Sequence, residues 1–519
     1  MGRERKEHIT QSLALSLSNM SSYVILFPAK IVTASILGPS LLGVLKIIEL
    51  IRKYTQYTSL GMQKAMFREI SMAHGRGQEK EIEVTKKVVL SWLSLSLFAS
   101  IAILWILFIC GINFKDSLTL PILIALTVLL LTSRINTYIH SLSKCDGLFS
   151  VIAKRKIIET LVYIFLIIPL LIFFRVNGVL ICMILSSVGG ILYGLKYVKI
   201  PRIRIYLPFK ETVRHLRISS LLFSNSFAGS VFWTIDTMVI GAMLSLRELG
   251  LYAFALSAAE IVHITMGGFN SVIIRQMFME SGKQERTGCT GKFKYYMKNP
   301  FAGYMMIAAC VSGTVFFMFD FLIKTYLTKF NSSRACLIIV MLGIMIYEAR
   351  IFANNYLNAS HRLKTLLFLM VSGILFNFVL DVALIRQGYG IIGAAWASTI
   401  SYVAYIIVVV FISLRSVFKS FKIPFLFLVR VFSISLILFL LMYILSGIEV
   451  AHYTLQDNLF WKTILGILDV GAKTIVFSII TIFLYCCLFS EEKLWQELKN
   501  SLGCIIPYRW SKQIIPSEG

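Results

Sequence analysis

The chain has 519 residues, 57% of them hydrophobic and 15% charged, with a mean hydropathy of +0.79. Soluble domains carry about a quarter charged residues, so this composition excludes an ordinary soluble enzyme or a disordered scaffold and marks an integral membrane protein. A net charge of +25 suits a nucleic-acid binder only if the charge is gathered on one surface, and its distribution along the chain shows otherwise.

Apolar runs long enough to cross about 30 Å of hydrocarbon, roughly 20 helical residues each, recur from end to end. Fourteen are expected: 13–36, 41–62, 88–110, 117–138, 157–174, 177–198, 216–244, 248–274, 299–320, 335–357, 365–385, 390–414, 424–446 and 465–488. Helices suit them because each satisfies its own backbone hydrogen bonds without water. The start, "MGRERKEHITQSLALSLSNM", has a charged beginning but no small-residue cleavage site, and reads as a retained first helix.

With fourteen spans the loops fall into two sets. One set, which includes both termini, holds 35 Lys and Arg, the other holds 8, and 8 more lie within the spans. The positive-inside rule then places both termini in the cytoplasm. Topology and anionic headgroups account for the excess charge, and no nucleic-acid partner is expected. The nine cysteines show no metal-ligand spacing and read as reduced packing residues.

An internal repeat organises the chain. "LLGVLKIIEL" (41–50) aligns with "ELGLYAFALS" (248–257), pairing Gly43 with Gly250 at an offset of 207, which also pairs Gly61 with Gly268. Farther on, "LSKCDGLFS" (142–150) matches "LNASHRLKT" (357–365) at an offset of 215, and "SRIN" (133–136) resembles "ARIF" (349–352). The expected fold is all-α and polytopic: a six-helix N-terminal lobe (1–200), a basic cytoplasmic connector (201–217), a six-helix C-terminal lobe (218–415), two additional helices (416–489) and a cytoplasmic tail (490–519). Transporters with such halves carry their substrate path between them.

The stretches "ASILGPSLLGVLKIIELIRKYTQYTSLGMQKAMFRE" (34–69), "IDTMVIGAMLSLRELGLYAFALSAAEIV" (235–262), "NFVLDVALI" (377–385) and "YGIIGAAWASTISYVAY" (389–405) resemble the polysaccharide transporter branch of the multidrug/oligosaccharidyl-lipid/polysaccharide exporter superfamily, which includes the O-antigen flippases. The resemblance covers about the first 415 residues. It implies a two-lobed, V-shaped bundle in the bacterial inner membrane. It also implies a non-enzymatic flippase moving undecaprenyl-diphosphate-linked oligosaccharide between leaflets, beside membrane lipids and a polysaccharide polymerase and export machinery.

Ionisable groups at the bilayer centre cost about 2.5–3.5 kcal/mol on insertion scales, so those in the spans should face water, a partner or a substrate. On the second span Lys46, Glu49, Lys53 and Gln56 follow i, i+3, i+7, i+10 and share one face, with Arg52 bordering it. The repeat places Lys53 opposite Glu260 and Gln56 opposite His263, and Lys30 within one residue of the counterpart of Asp236. Lys30, Lys46, Arg52, Lys53, Gln56, Arg134 and Arg350 are the candidate ligands of a diphosphate or acidic sugar, Arg by bidentate contact and Lys as a compact charge. The bland alternative is pairing within and between helices, such as Glu49 with Lys53 at i+4, while Arg134 snorkels to the interface. Asp236, Glu260 and Glu49 are candidates for coupling to H+ or Na+. No cofactor, metal site or catalytic residue is expected: the chain lacks a G-x-x-x-x-G-K-[ST] loop, HExxH and GxSxG, and "TGCTGKFK" (287–294) has the wrong spacing.

Two other functions compete. A cation-coupled drug exporter of the same superfamily should favour acidic and aromatic cavity residues, against the Lys/Arg-rich second span. A polysaccharide polymerase or ligase commonly needs a large external loop, and the longest here, 447–464, is under twenty residues.

Overall fold

The computed structural model describes residues 2–76, 78–111, 119–198, 200–201, 206–287, 299–360, 362–418, 421–448 and 459–488. The expected tail at 490–519 and most of "TGCTGKFK" lie outside them. Among the described residues no strand forms, and fourteen α-helices follow one another. They are α1 (Gly2–Tyr57), α2 (Met62–Arg76), α3 (Glu79–Ile109), α4 (Leu120–Cys145), α5 (Phe149–Leu195), α6 (Phe209–Met243), α7 (Leu246–Thr287), α8 (Asn299–Thr325), α9 (Arg334–Tyr347), α10 (Arg350–Ala359), α11 (Leu363–Arg386), α12 (Gly390–Phe418), α13 (Lys422–Gly447) and α14 (Leu459–Leu488).

Among the described residues, twelve segments are long and apolar enough to cross a membrane. Two of these, in α1 and α5, contain breaks. A straight helix of the 47 residues of α5 would reach about 70 Å, more than twice the hydrocarbon thickness. It is interrupted at Arg175, with φ 49 and ψ −121, where the sequence separates its fifth and sixth spans. α1 breaks at Gly38, with φ 68, a conformation that glycine takes without a Cβ clash, and Pro39 follows where its missing N–H costs nothing. The two breaks fall where the sequence separates its first span from its second and its fifth from its sixth.

Two departures are informative. The stretch between the second and third expected spans, 41–62 and 88–110, holds nearly all of α2, which buries Met62, Met66, Ile70 and Ala73 against Val88, Val89, Leu93, Tyr138 and Leu142. The tenth expected span is not continuous: α9 ends at Tyr347, α10 begins at Arg350, and Glu348 and Ala349 form the turn between.

By internal contacts the chain divides into two compact units, Met1–Phe254 and Ala255–Gly519. In the first, Val44, Leu45 and Ile48 of α1 pack with Leu97 and Leu104 of α3, Leu123, Leu126 and Leu130 of α4, and Leu171 and Leu180 of α5. Outward faces are apolar as well: Phe98, Phe165 and Phe173 are exposed, as lipid-facing side chains must be. In the second unit, the segment Thr328–Ala359, which contains α9 and α10, is 83% buried over its apolar window, against 17% for Leu363–Arg386, so α9 and α10 form the centre and α11 the wall.

The repeat reappears as a contact inside the first unit. A Cβ on Gly43 would stand 2.0 Å from the carbonyl oxygen of Leu246, and one on Gly250 1.7 Å from that of Pro39. Residues 39 and 246 are themselves repeat partners, so the contact is reciprocal. Only glycine allows these backbones to approach this closely.

Candidate functional site

Each unit carries a polar constellation within membrane-crossing helices. The first lies on α1 after the break. Its buried face, Val44, Leu45, Ile47 and Ile48, is spent on the core, which leaves Lys46, Glu49, Arg52, Lys53 and Gln56 on the less covered side. Gln56 is exposed and Lys53 and Arg52 are half-buried. Lys46 pairs with Glu49 at 3.6 Å, its side chain 12% exposed against 38% for the carboxylate. Glu49 thus has an i, i−3 partner in Lys46, and the more deeply placed ammonium gains a counter-charge. Arg52 keeps a buried Nε without a hydrogen-bond partner among the described residues. Lys30, on α1 before the break, is exposed.

At the open end of this face stand aromatic rings that sequence reasoning missed. Tyr57 lies 5.4 Å from Phe227, and Phe223 stacks on Phe227 at 5.6 Å. Tyr54 hydrogen-bonds Thr234 at 2.6 Å, fixing α6 against α1. Lys64 Nζ of α2 donates to Ser226 of α6, and burial together with Lys144 lowers its pKa.

Arg134 has a different occupation. Its guanidinium donates to the carbonyl oxygens of Thr55 at 2.8 Å and Gln56 at 3.4 Å and to the Thr58 hydroxyl at 3.0 Å. These acceptors lie at the end of α1, so the buried Arg134 holds the helix that displays the stripe and does not snorkel. Asp236 is 1% exposed and accepts from the backbone N–H of Thr237 at 2.7 Å, from its hydroxyl at 3.3 Å and from the Tyr252 hydroxyl. Its carboxylate is already well supplied with donors.

The second constellation surrounds the turn between α9 and α10. Glu348 is fully buried, receives the Tyr304 hydroxyl of α8 on Oε2 at 2.5 Å, and lies 2.6 Å through Oε1 from His263 Nδ1 on α7. The Arg350 guanidinium lies over the Tyr347 ring, 3.6 Å from its centroid, a cation–π contact that gains strength where water is scarce. Tyr405 of α12 donates to Asn354 at 2.9 Å, and Asn355 donates to Asn270 at 2.7 Å. Arg350 therefore lies inside a polar core, and Glu260 is half-buried one turn before His263. Nothing along the sequence joins His263, Tyr304 and Glu348, which lie 44 and 85 residues apart. Among the described residues no group of three His, Cys, Asp or Glu is placed to hold a metal ion.

A helical bundle with broken apolar helices and charged groups inside its spans defines a polytopic membrane protein. The chain belongs to the polysaccharide biosynthesis protein family, whose model matches residues 10–274. It is 21% identical over 421 residues to the uncharacterized membrane protein MJ1375 of Methanocaldococcus jannaschii, covering 78% of this chain and 97% of that one. Among solved structures it is similar to the lipid II flippase MurJ in an inward closed conformation, with TM-score 0.62, 17% identity, and coverage of 91% of this chain and 98% of that one. It is similar also to an inward-facing multidrug resistance MATE family transporter, with TM-score 0.56, 13% identity, and coverage of 82% and 96%. These likenesses establish the fold.

Proposed function

We propose that the protein is a flippase that carries an undecaprenyl-diphosphate-linked oligosaccharide from the inner to the outer leaflet of a bacterial plasma membrane, with both termini cytoplasmic. The observation that carries this reading is the half-open cationic face of α1, where Lys46, Arg52 and Lys53 stand on a membrane-crossing helix whose other side is committed to the core. A diphosphate is the group such a face attracts: Arg offers a bidentate fork and Lys a compact charge, both strengthened away from bulk water. The lipid tail needs no polar path, because hydrocarbon already solvates it. Tyr57, Phe223 and Phe227 beside the stripe offer ring faces of the kind that pack against sugars.

Membership in the polysaccharide biosynthesis family supports a sugar-bearing substrate. The likeness to a lipid II flippase supports a lipid-linked one. Movement between leaflets follows alternating access, with repeat-related helices turning against each other at the Gly43–Gly250 contact. A polymerase and export machinery would consume the product outside.

The test is the pair of substitutions Lys46→Ala and Lys53→Ala together. Each charge-assisted contact is worth about 1.5–3 kcal/mol, so export should fall roughly a hundredfold or more while the protein remains in the membrane at its normal level. Full export by the double variant rejects the cationic face as the substrate contact.

A further inference from the structure

The turn at Glu348 needs an explanation that neither packing nor the cationic stripe supplies. A carboxyl group at the centre of the most buried segment of the second unit is costly to keep. Helix α9 ends there without glycine or proline, so the break is not dictated by backbone chemistry. What the break achieves is placement. Glu348 Oε2 takes the Tyr304 hydroxyl, and Oε1 meets His263 Nδ1 at 2.6 Å. The pair is lopsided in access, since the Glu348 side chain is fully buried and that of His263 is 37% exposed. An imidazole with one nitrogen on a buried carboxyl and its ring partly open is the arrangement of a proton entry path.

The geometry points to His263, Glu348 and Tyr304 as a site that binds and releases one proton. On acidification water delivers a proton to the outer imidazole nitrogen of His263, and the ring passes its Nδ1 proton across 2.6 Å to Glu348 Oε1. The site then holds a neutral imidazole and a carboxylic acid whose carbonyl oxygen still accepts from Tyr304. The reverse transfer returns the proton to water, and no other species is consumed.

The neighbouring groups decide what that proton changes. Facing the pair are Tyr347 and Arg350 from its own segment, with the His263 ring 6.1 Å from that of Tyr347. Tyr402 of α12 packs its ring 4.4 Å from Tyr347, and Tyr405 of the same helix interacts electrostatically with Arg350. Glu260 precedes His263 on α7, and α13, packed on α9, carries Arg430. Arg350 is the cation two residues from Glu348. When the carboxyl is ionised it offsets that charge; when it is protonated the guanidinium is left to attract an anion. The proton thus switches the charge of the second polar core. A sodium ion is a poor alternative occupant, because even hard cations keep each ligand at about 2.0–2.6 Å, and Oε1 and Nδ1 already stand at hydrogen-bond distance from each other.

The use of this proton in transport rests on the flippase reading; its binding does not. Infrared difference spectra of the purified full-length protein, between alkaline and acidic sodium-free buffer, should show a carboxylic-acid C=O band that Glu348→Gln removes. An unchanged band in that variant overturns the proposal, as does a wild-type spectrum that responds to sodium at constant alkaline pH and not to acid. If Glu348→Gln fails to fold, Tyr304→Phe keeps the carboxyl and deletes one donor, and should move the band to higher frequency; an unmoved band overturns the assignment. Leaflet occupancy of lipid-linked sugar, measured separately in cells, decides the flippase reading, so either result can fail without the other.

Discussion

The two polar constellations spend their charges in opposite ways. On α1 the ionisable groups line up at helical spacing on the less covered side, where Lys46 pairs with Glu49. Around Glu348 they come from different helices: the fully buried carboxylate is held by Tyr304 and His263, the His263 ring stays partly open, and Arg350 lies over the Tyr347 ring with its Nε unmatched among the described residues. A surface that must attract and release a large anion has to leave its cations accessible. A site that changes protonation state inside hydrocarbon has to be enclosed and pre-paired. The same cost of burying charge governs both patterns.

The largest effect that would sharpen this contrast lies in α14, where Asp469 and Lys473 form a 2.6 Å ion pair with both side chains at most 3% exposed. Here the protein supplies both partners, so the pair is structural. Asp469→Asn should destabilise the protein by about 3–5 kcal/mol, whereas Asp469→Leu with Lys473→Met should come close to neutral. Thermal unfolding in detergent distinguishes the two, and equal losses would break the argument.

Gly250→Ala comes next. Its Cβ cannot coexist with the Pro39 carbonyl oxygen at 1.7 Å, and the displacement should cost about 1–3 kcal/mol while slowing export in the conformational step. An export rate and melting point equal to wild type would remove the repeat-to-repeat contact as a pivot.

Arg134→Gln tests whether a sequence candidate serves the substrate or the helix. As the donor to three acceptors at the end of α1, it should cost about 1–3 kcal/mol in stability and leave the apparent substrate affinity of the surviving protein unchanged. A normal melting point with weakened affinity would return Arg134 to the list of ligands.

The smallest effect belongs to Glu49→Gln. Stability should move by about 0.5 kcal/mol or less, because Glu49 is more than a third exposed. Release of Lys46 from its partner should tighten substrate binding a fewfold. Weaker binding would instead make Glu49 part of the substrate contact.

How much of this was legible in the sequence depends on how far apart the cooperating residues lie. The apolar segments and the stripe were legible because hydropathy and a 3.6-residue period are local signals. The break at Gly38 coincided with an unassigned gap between spans, and the reciprocal Gly43–Gly250 contact had its trace in the offset of 207. α2 was hidden because its apolar residues, Met62, Met66, Ile70 and Ala73, are spread through a segment whose charge reads as loop. The Glu348 turn was hidden because neither glycine nor proline marks it. Its partnership with His263 exists only once α7, α8 and α9 are packed.

The central claim is that lipid-linked sugar crosses the membrane through this protein. The most direct measurement labels lipid-linked oligosaccharides in a strain lacking the protein and determines which leaflet they occupy with a membrane-impermeant sugar-oxidising probe. The account predicts intermediates shielded on the cytoplasmic side, released when the wild-type chain is restored and still trapped when the Lys46→Ala, Lys53→Ala chain is restored. Normal outward exposure in the deletion strain, particularly with new sensitivity to lipophilic cations, would contradict it.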